Sequence, residues 1–380
     1  MKKHRQTEKQ FSLKDELFNR RKVEQLAKEI EAVYPEFATK AFIKAVLKDF
    51  PEQELMERVR GIRDRLREFL PSAYSDALPI ILAAQPPVLD EGKTDNDFGD
   101  FIYAPYSYFV ATYGCTEKHV ARSLAALREL TKRFSAEGAL RDFLNAFPKE
   151  TLEAVEKWSK DTNYHVRRLA SEGTRPNLPW AKKITVPPKK LAPILDRLHA
   201  DRTRYVVRSV ANHLNDVTKV DKSLALRLLR KWNKEKRQSA RELSYLTNHA
   251  LRSLVRAGDS DALRLIGFDT GHLRVSAFTL GSKSIRVGES VPFSFTLTST
   301  SHKEQNVMAD YIIHFNKASG KLAPKTYKLS KLVLRPNESV HLEKNHTLRL
   351  MSTRTLYPGK HVLELQINGR SFGKKIFLLK

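Results

Sequence analysis

The chain has 380 residues, with 68 Lys and Arg against 43 Asp and Glu, giving a net charge of +25 and a pI near 10.0. That excess suits a polyanion, and nucleic acid is favoured over an acidic membrane surface because no basic amphipathic anchor is present. No apolar run reaches the length of a spanning helix. The N-terminal residues lead into no secretory signal core, and the single Cys115 excludes a disulfide framework or a cysteine-based zinc site and suits a reducing cytosol.

Residues 1–10 are polar and basic and read as a mobile arm. From Leu13 onward apolar residues recur at three- and four-residue spacing. Leu17, Val23, Leu26, Ile30 and Val33 form one stripe, Phe42, Val46 and Phe50 a second, and Met56, Val59, Ile62, Leu66 and Phe69 a third. Pro35, Pro51 and Pro71 punctuate them, so the pattern predicts antiparallel helix pairs in succession. Residues 85–100 hold Asp90, Asp95, Asp97 and Asp100 among Pro and Gly; without calcium-loop spacing or a closing Glu, they read as a solvated loop. The aromatic run from Phe101 to Val110 reads as a helix whose rings pack in the core rather than stack on bases. Helices resume at Thr116. In the block 131–144, Glu137 and Arg141 form an i,i+4 pair in the favoured order.

Residues 161–180 are the least ordinary in the chain. Asn163 is a candidate N-cap, Val166, Leu169 and Ala170 supply the apolar stripe, and Gly173 and Pro176 stop the helix. Arg168 and Glu172 project from one face, which an exposed salt bridge would explain. Two features point elsewhere: the basic residue precedes the acid, and Glu172 falls in the last turn, where the helix dipole disfavours an anion. A site that stabilises a developing cation needs such a carboxylate.

The run from Asn163 to Trp180, Asn-Tyr-His-Val-Arg-Arg-Leu-Ala-Ser-Glu-Gly-Thr-Arg-Pro-Asn-Leu-Pro-Trp, resembles the signature of the AlkC branch of alkylpurine DNA glycosylases, relatives of AlkD built from HEAT-like repeats. The block at 131–144 also resembles that branch, in which a Phe-x-x-Glu-x-x-x-Arg pattern sets an acid facing the DNA. Glu137 and Arg141 match it, whereas Gly138 stands where an aromatic is usual and Asp142 where a proline is usual. The resemblance implies catalytic roles for Glu172, Asp216 and Glu137. It makes Trp180 the residue that holds the lesion or the adjacent sugar, where the bland alternative is a cap on the apolar face of the next repeat, and Arg141, Arg167, Arg168, Arg175 and Arg208 DNA contacts.

Beyond the signature, Lys182 and Lys183 precede a proline pair that Lys189 and Lys190 follow, an arrangement suited to phosphates along an extended segment. The segment from Tyr205 to Asp216 repeats the rhythm Val-Arg-x-x-Ala, with Arg208 near the place of Arg167 or Arg168. Recurrence at roughly forty residues marks a helical repeat. Helices over 223–232 and 239–256 and a short one over 262–267 close this region. After Phe268 the period changes to two, as in Val291–Thr300, Tyr311–Phe315 and His361–Ile367. About seven strands, separated by turn signals, read as an immunoglobulin-like sandwich without its disulfide, a domain that some AlkC-type proteins carry. From Thr270 to Lys380 there are 18 Lys and Arg against 6 Asp and Glu, so this is the more basic part per residue.

The expected architecture is mainly α: a HEAT-like helical-repeat solenoid over 1–268, then an immunoglobulin-like β-sandwich over 269–380. No Gly-rich phosphate loop, Ser/His/Asp grouping or zinc-helix motif appears, so no metal or cofactor is expected. The expected function is hydrolysis of the N-glycosidic bond of cationic N-methylated bases, 3-methyladenine foremost. The partner would be alkylated duplex DNA, met by a monomer in the cytoplasm, at the nucleoid. The alternative is a non-enzymatic HEAT-repeat nucleic-acid binder, which would need neither Glu172 nor Trp180.

Overall fold

The computed structural model describes residues 12–95, 97–269, 271–349 and 355–380; the arm expected over residues 1–10 lies outside them. The described helices are α1 Leu13–Leu17, α2 Arg20–Val33, α3 Thr39–Asp49, α4 Leu55–Phe69, α5 Tyr74–Ala83, α6 Ala104–Gly114, α7 Val120–Leu130, α8 Glu137–Ala146, α9 Pro148–Trp158, α10 Tyr164–Glu172, α11 Pro188–Leu198, α12 Arg204–Val217, α13 Lys222–Glu235, α14 Ala240–Arg256 and α15 Ser260–Leu265. The strands are β1 Leu273–Leu280, β2 Ser284–Ile285, β3 Ser290–Ser299, β4 Gln305–Asn316, β5 Leu322–Leu334, β6 Ser339–Thr347, β7 Gly359–Ile367 and β8 Arg370–Leu379. The switch from helix to strand falls where the hydrophobic period changes from 3.6 to 2. The chain divides into two compact units earlier, between Leu246 and Thr247. The end of α14 and all of α15 therefore group with the strands.

The first unit is built of helix-pair repeats. Its helices start where side chains can satisfy the free N–H groups of a first turn. Asn19 accepts from Lys22 N, and Asp221 accepts from Leu224 N. Pro148 and Pro188 open α9 and α11, where the missing N–H costs nothing. Apolar stripes then bury against the neighbouring helix, with Leu26, Ile30, Ile62, Leu66, Phe109 and Phe143 all in the core. The aromatic run of α6 is core as well, since Tyr106, Phe109 and Val110 are fully buried.

Successive repeats are joined by a ladder of ion pairs. Arg128 of α7 reaches Asp161 at 2.7 Å, Arg167 of α10 reaches Asp201 at 2.6 Å, and Arg204 of α12 reaches Glu242 at 2.6 Å. The first two acids also brace the turn before the next helix. Asp161 accepts from Asn163 N and Asp201 from Thr203 N, each at 2.9 Å. The repeat seen in sequence is thus a repeat of turn chemistry too.

The second unit holds a three-stranded sheet, β1-β3-β6, and a five-stranded sheet, β2-β8-β7-β4-β5. All pairings are antiparallel except that of the two-residue β2 with β8. Along β3 the residues Val291, Phe293, Phe295 and Leu297 are buried and their neighbours are not, as a half-buried strand requires. They share one core with Tyr311, Ile313, Leu363 and Leu365 from the other sheet. Hydrogen bonds fasten the helical ends to this unit: Asn306 Nδ2 donates to Gly267 O, and Thr326 Oγ1 to Arg256 O.

Candidate active site

Asn163 starts α10 by accepting from His165 N and Val166 N, at 2.9 and 3.4 Å. Val166, Leu169 and Ala170 are fully buried, and α10 packs against α12. The helix ends at Glu172, and Gly173 is the cap. These local choices carry an anion, in the last turn, into the interior between two repeats.

Glu172 is only 5% exposed, and its first partner is not the one spaced along its helix. Arg175 Nη1 lies 2.5 Å from Glu172 Oε1, whereas Arg168 Nη2 stands 3.9 Å from Oε2. Arg175 also binds Asp216 at the end of α12, Nη2 to Oδ2 at 2.9 Å. Arg168 binds Glu137 at 3.1 Å and Ser135 Oγ at 2.5 Å. Glu137, Arg168, Glu172, Arg175 and Asp216 therefore alternate in sign along one line, which the half-exposed Lys219 continues at 3.5 Å from Asp216 Oδ1. Burial raises the affinity of the Glu172 carboxyl for a proton, but Arg168 and Arg175 more than offset it. The group is held below the usual carboxylate range and is ionised at neutral pH.

The loop after α10 is shaped by Arg141. Its side chain is fully buried and donates to the carbonyls of Gly173, Arg175, Pro176 and Lys182. Asn145, one turn further along α8, donates to Lys183 O at 2.9 Å and accepts from Thr185 N. What this loop presents is Trp180, which is 73% exposed with φ at +58°. A non-glycine residue in the left-handed region carries strain of about 1–3 kcal/mol, and such residues cluster at functional sites. Lys182 and Lys183 are exposed on the same loop, Lys182 with Asp142 as a neighbour.

Several arginines expected at phosphates are placed otherwise. Arg141 spends its donors on the loop's carbonyls, which makes it a positioning residue. Arg167 is 7% exposed and belongs to the inter-repeat ladder, with further bonds to Asp161 O and Thr162 O. Arg168 and Arg175 are committed to the carboxylates. Arg208 binds the backbone carbonyl of Asp95 and lies over the Tyr205 ring. Buried guanidinium groups with satisfied forks cannot meet a duplex backbone without first giving up these bonds.

The segment 85–95 is also more than a solvated loop. Tyr164 Oη donates to Lys93 O at 2.8 Å, Asn163 Nδ2 to Glu91 Oε1 at 3.2 Å and Tyr205 N to Thr94 O at 3.0 Å. It is pinned across the starts of α10 and α12, the helices that carry Glu172 and Asp216. Two aromatics that sequence reasoning passed over border the carboxylates. Arg168 lies 4.5 Å above the buried Tyr205 ring. Tyr108 of α6 occupies the space beside Gly138, where an added Cβ would clash with its hydroxyl. The missing aromatic at position 138 is thus supplied by another helix. Tyr205 had a signal in its place, one repeat after Tyr164; Tyr108 had only its membership of the aromatic run at 101–110.

Residues 274–380 match the family model described as the C-terminal Ig-like domain of the uncharacterised protein YhaZ. The uncharacterised YhaZ of Bacillus subtilis (strain 168) is 33% identical over 359 residues, which cover 93% of this chain and 96% of that protein. Among solved structures, the alkylpurine DNA glycosylase AlkC of Pseudomonas fluorescens, bound to DNA containing an abasic site analog, is 35% identical. That match covers 97% of this chain and all of the other, with a TM-score of 0.84. A likeness of this identity over nearly the full length of both chains, helical repeats and Ig-like domain included, places the chain in the AlkC-type family of alkylpurine DNA glycosylases.

Proposed function

We propose that the protein hydrolyses the N-glycosidic bond of cationic N-methylated bases in duplex DNA, 3-methyladenine foremost, with 3-methylcytosine and 1-methyladenine as further candidates. The observation that carries this reading is the pair of buried carboxylates, Glu172 and Asp216, bridged by Arg175, with the exposed and strained Trp180 on the loop that follows. A base methylated on a ring nitrogen is already a good leaving group, so the protein has to stabilise the oxocarbenium-like sugar and orient a water. In this step the water oxygen bonds to C1′. The C1′–N bond breaks with its electron pair going to the base, which becomes neutral, and the water's proton leaves through a carboxylate.

Glu172 takes the charge-stabilising role, with Asp216 orienting the water and Glu137 adding to the negative field through Arg168. The carboxylates of Glu172 and Asp216 carry the sign that an oxocarbenium ion needs, and their cationic partners Arg168, Arg175 and the half-exposed Lys219 keep them ionised. The Trp180 ring holds the cationic base by a cation–π contact of about 0.5–2 kcal/mol. Lys182 and Lys183 meet the phosphates next to the lesion, and the basic Ig-like unit adds backbone contacts. Arg141 keeps the loop in register for both.

The test is release of 3-methyladenine from methylated duplex under single-turnover conditions, with enzyme in excess and EDTA present. Release at a rate well above the spontaneous one is expected. No release, or release abolished by EDTA, would sink the proposal.

A further inference from the structure

The second unit contains a cavity of about 430 Å³, lined by the end of α14 and by β4 and β5. Arg252 and Arg256 border it from α14, and Lys328 and Lys331 from β5. Among these cations lies one carboxylate, Asp310, which is only 7% exposed. Its Oδ1 has no hydrogen-bond partner in the protein, and neither has Oε1 of Gln366, its cross-strand neighbour on β7. The Gln366 amide is oriented by its own bond from Nε2 to Gly369 O at 3.3 Å. Two buried acceptors therefore stand side by side without a donor. The β4–β5 register skips Leu329 between the pairs Ala309–Ser330 and Asp310–Lys328. Such bulges occur where a strand re-aims a side chain beside a site.

Buried acceptors without donors are uncommon and call for a reason. Burial pushes the Asp310 carboxyl up to about 6, even with Lys328 and Lys331 opposing the shift. A ligand that fits would bring N–H donors to Asp310, an apolar body to Met308 and Val255, and an anionic group to the four cations. A phosphate suits the cations, and the volume is that of a small-molecule site. Among the bases, guanine alone offers two adjacent N–H groups, N1–H and the N2 amino group, on its pairing edge. Adenine and cytosine set a ring acceptor beside their amino group, and thymine flanks its single N–H with carbonyls; each would point an acceptor at the carboxylate.

We propose that this cavity binds a guanine nucleotide, with the base edge on Asp310 and the phosphate among Arg252, Arg256, Lys328 and Lys331. The site is independent of base excision, and its test reads binding alone. The full-length protein is titrated calorimetrically with dGMP, dAMP, dCMP, dTMP and inorganic phosphate. The expected result is a preference for dGMP of about ten-fold or more over the other nucleotides, with phosphate weaker still. Asp310→Asn should remove that preference while its Tm holds or rises, because a buried charge without a donor is lost. Lys328→Ala should weaken all four nucleotides alike, so the assignment stays testable if the Asp310 variant fails to fold. A 5′-phosphorylated oligonucleotide beginning with dG that displaces dGMP assigns the ligand to a strand end; failure to displace assigns it to the free nucleotide, and both support the site. No binding at about 1 mM, equal affinity for the four nucleotides, or unchanged dGMP binding by a folded Asp310→Asn protein would overturn it.

Discussion

Arg167 and Arg168 are neighbours on α10 and enter two different ion-pair systems. Arg167 joins Asp201 across the repeat boundary, one acid to one base, with side chains 8% and 6% exposed. Arg128 and Arg204 make the corresponding pairs one repeat earlier and one later, Arg128 also holding Glu129. Arg168 enters a line of alternating acids and bases, and the loop that follows the line's Glu172 and Arg175 in the chain presents a strained, exposed tryptophan. The Arg167–Asp201 pair is as buried as the carboxylate line, so burial and pairing do not by themselves mark a site. What separates them is recurrence: the ladder repeats with the fold, while the carboxylate line occurs once among the described residues.

Breaking the ladder should affect stability first. Arg167→Ala leaves Asp201 buried without its partner, and unfolding in denaturant should show a loss of about 3–5 kcal/mol. Single-turnover excision at low temperature, where the variant stays folded, should remain within a few-fold of the parent. The opposite split, a stable protein with poor excision, would move Arg167 into the site.

Acid should also separate the two systems. His165 and His213, on α10 and α12, are pushed by burial to about 4 and stay neutral in the folded protein. The unfolded chain takes up those protons near pH 6.5, so stability should fall as pH drops from about 6.5 towards 4. Glu172 behaves differently, because its folded value lies below the ordinary one. Its contribution is present above about pH 4.5 and is lost only as pH falls through the folded value. Melting scans should therefore show a decline beginning near pH 6.5, while excision by the folded protein stays level down to about pH 5.

Much of this arrangement was legible in local pattern and some was not. The cap at Asn163, the stop at Gly173 and the terminal place of Glu172 follow from residues within one helix. The period change after Phe268 likewise announced the strands, because alternation is set by the pleat. The pairing of Arg175 with Asp216 spans 41 residues, and the Arg141 staple reaches Lys182. Such bonds depend on which repeats become neighbours, and no spacing rule within a helix encodes that. The loop expected at 85–100 is a loop, but its anchoring was hidden for the same reason, since its partners Tyr164, Asn163, Tyr205 and Arg208 lie 70 or more positions away. Arg141 and Arg167, expected at phosphates, are buried and bonded within the protein, which composition cannot reveal.

Trp180 offers a smaller and sharper contrast. Trp180→Gly relieves the left-handed backbone and removes an exposed ring, so Tm should hold or rise slightly. Excision should fall about ten-fold if the ring holds the cationic base. A normal rate would reduce Trp180 to a loop residue. The smallest effect belongs to Lys182 and Lys183. Alanine at either position should weaken damaged and undamaged duplex alike and lower the salt slope of binding by about one. A slope equal to the parent's would take the loop off the backbone.

The central claim is that Glu172 supplies chemistry rather than affinity or stability, and Glu172→Gln tests it directly. The substitution keeps the volume and much of the hydrogen bonding while removing the charge. The predicted result is a single-turnover rate of 3-methyladenine release lower by about two orders of magnitude or more, near 3 kcal/mol of transition-state stabilisation. Affinity for undamaged duplex should be unchanged or slightly tighter, since an anion facing a polyanion is gone. A folded Glu172→Gln protein that releases the base at the parent rate would contradict the account and leave Glu172 as the anchor of Arg175.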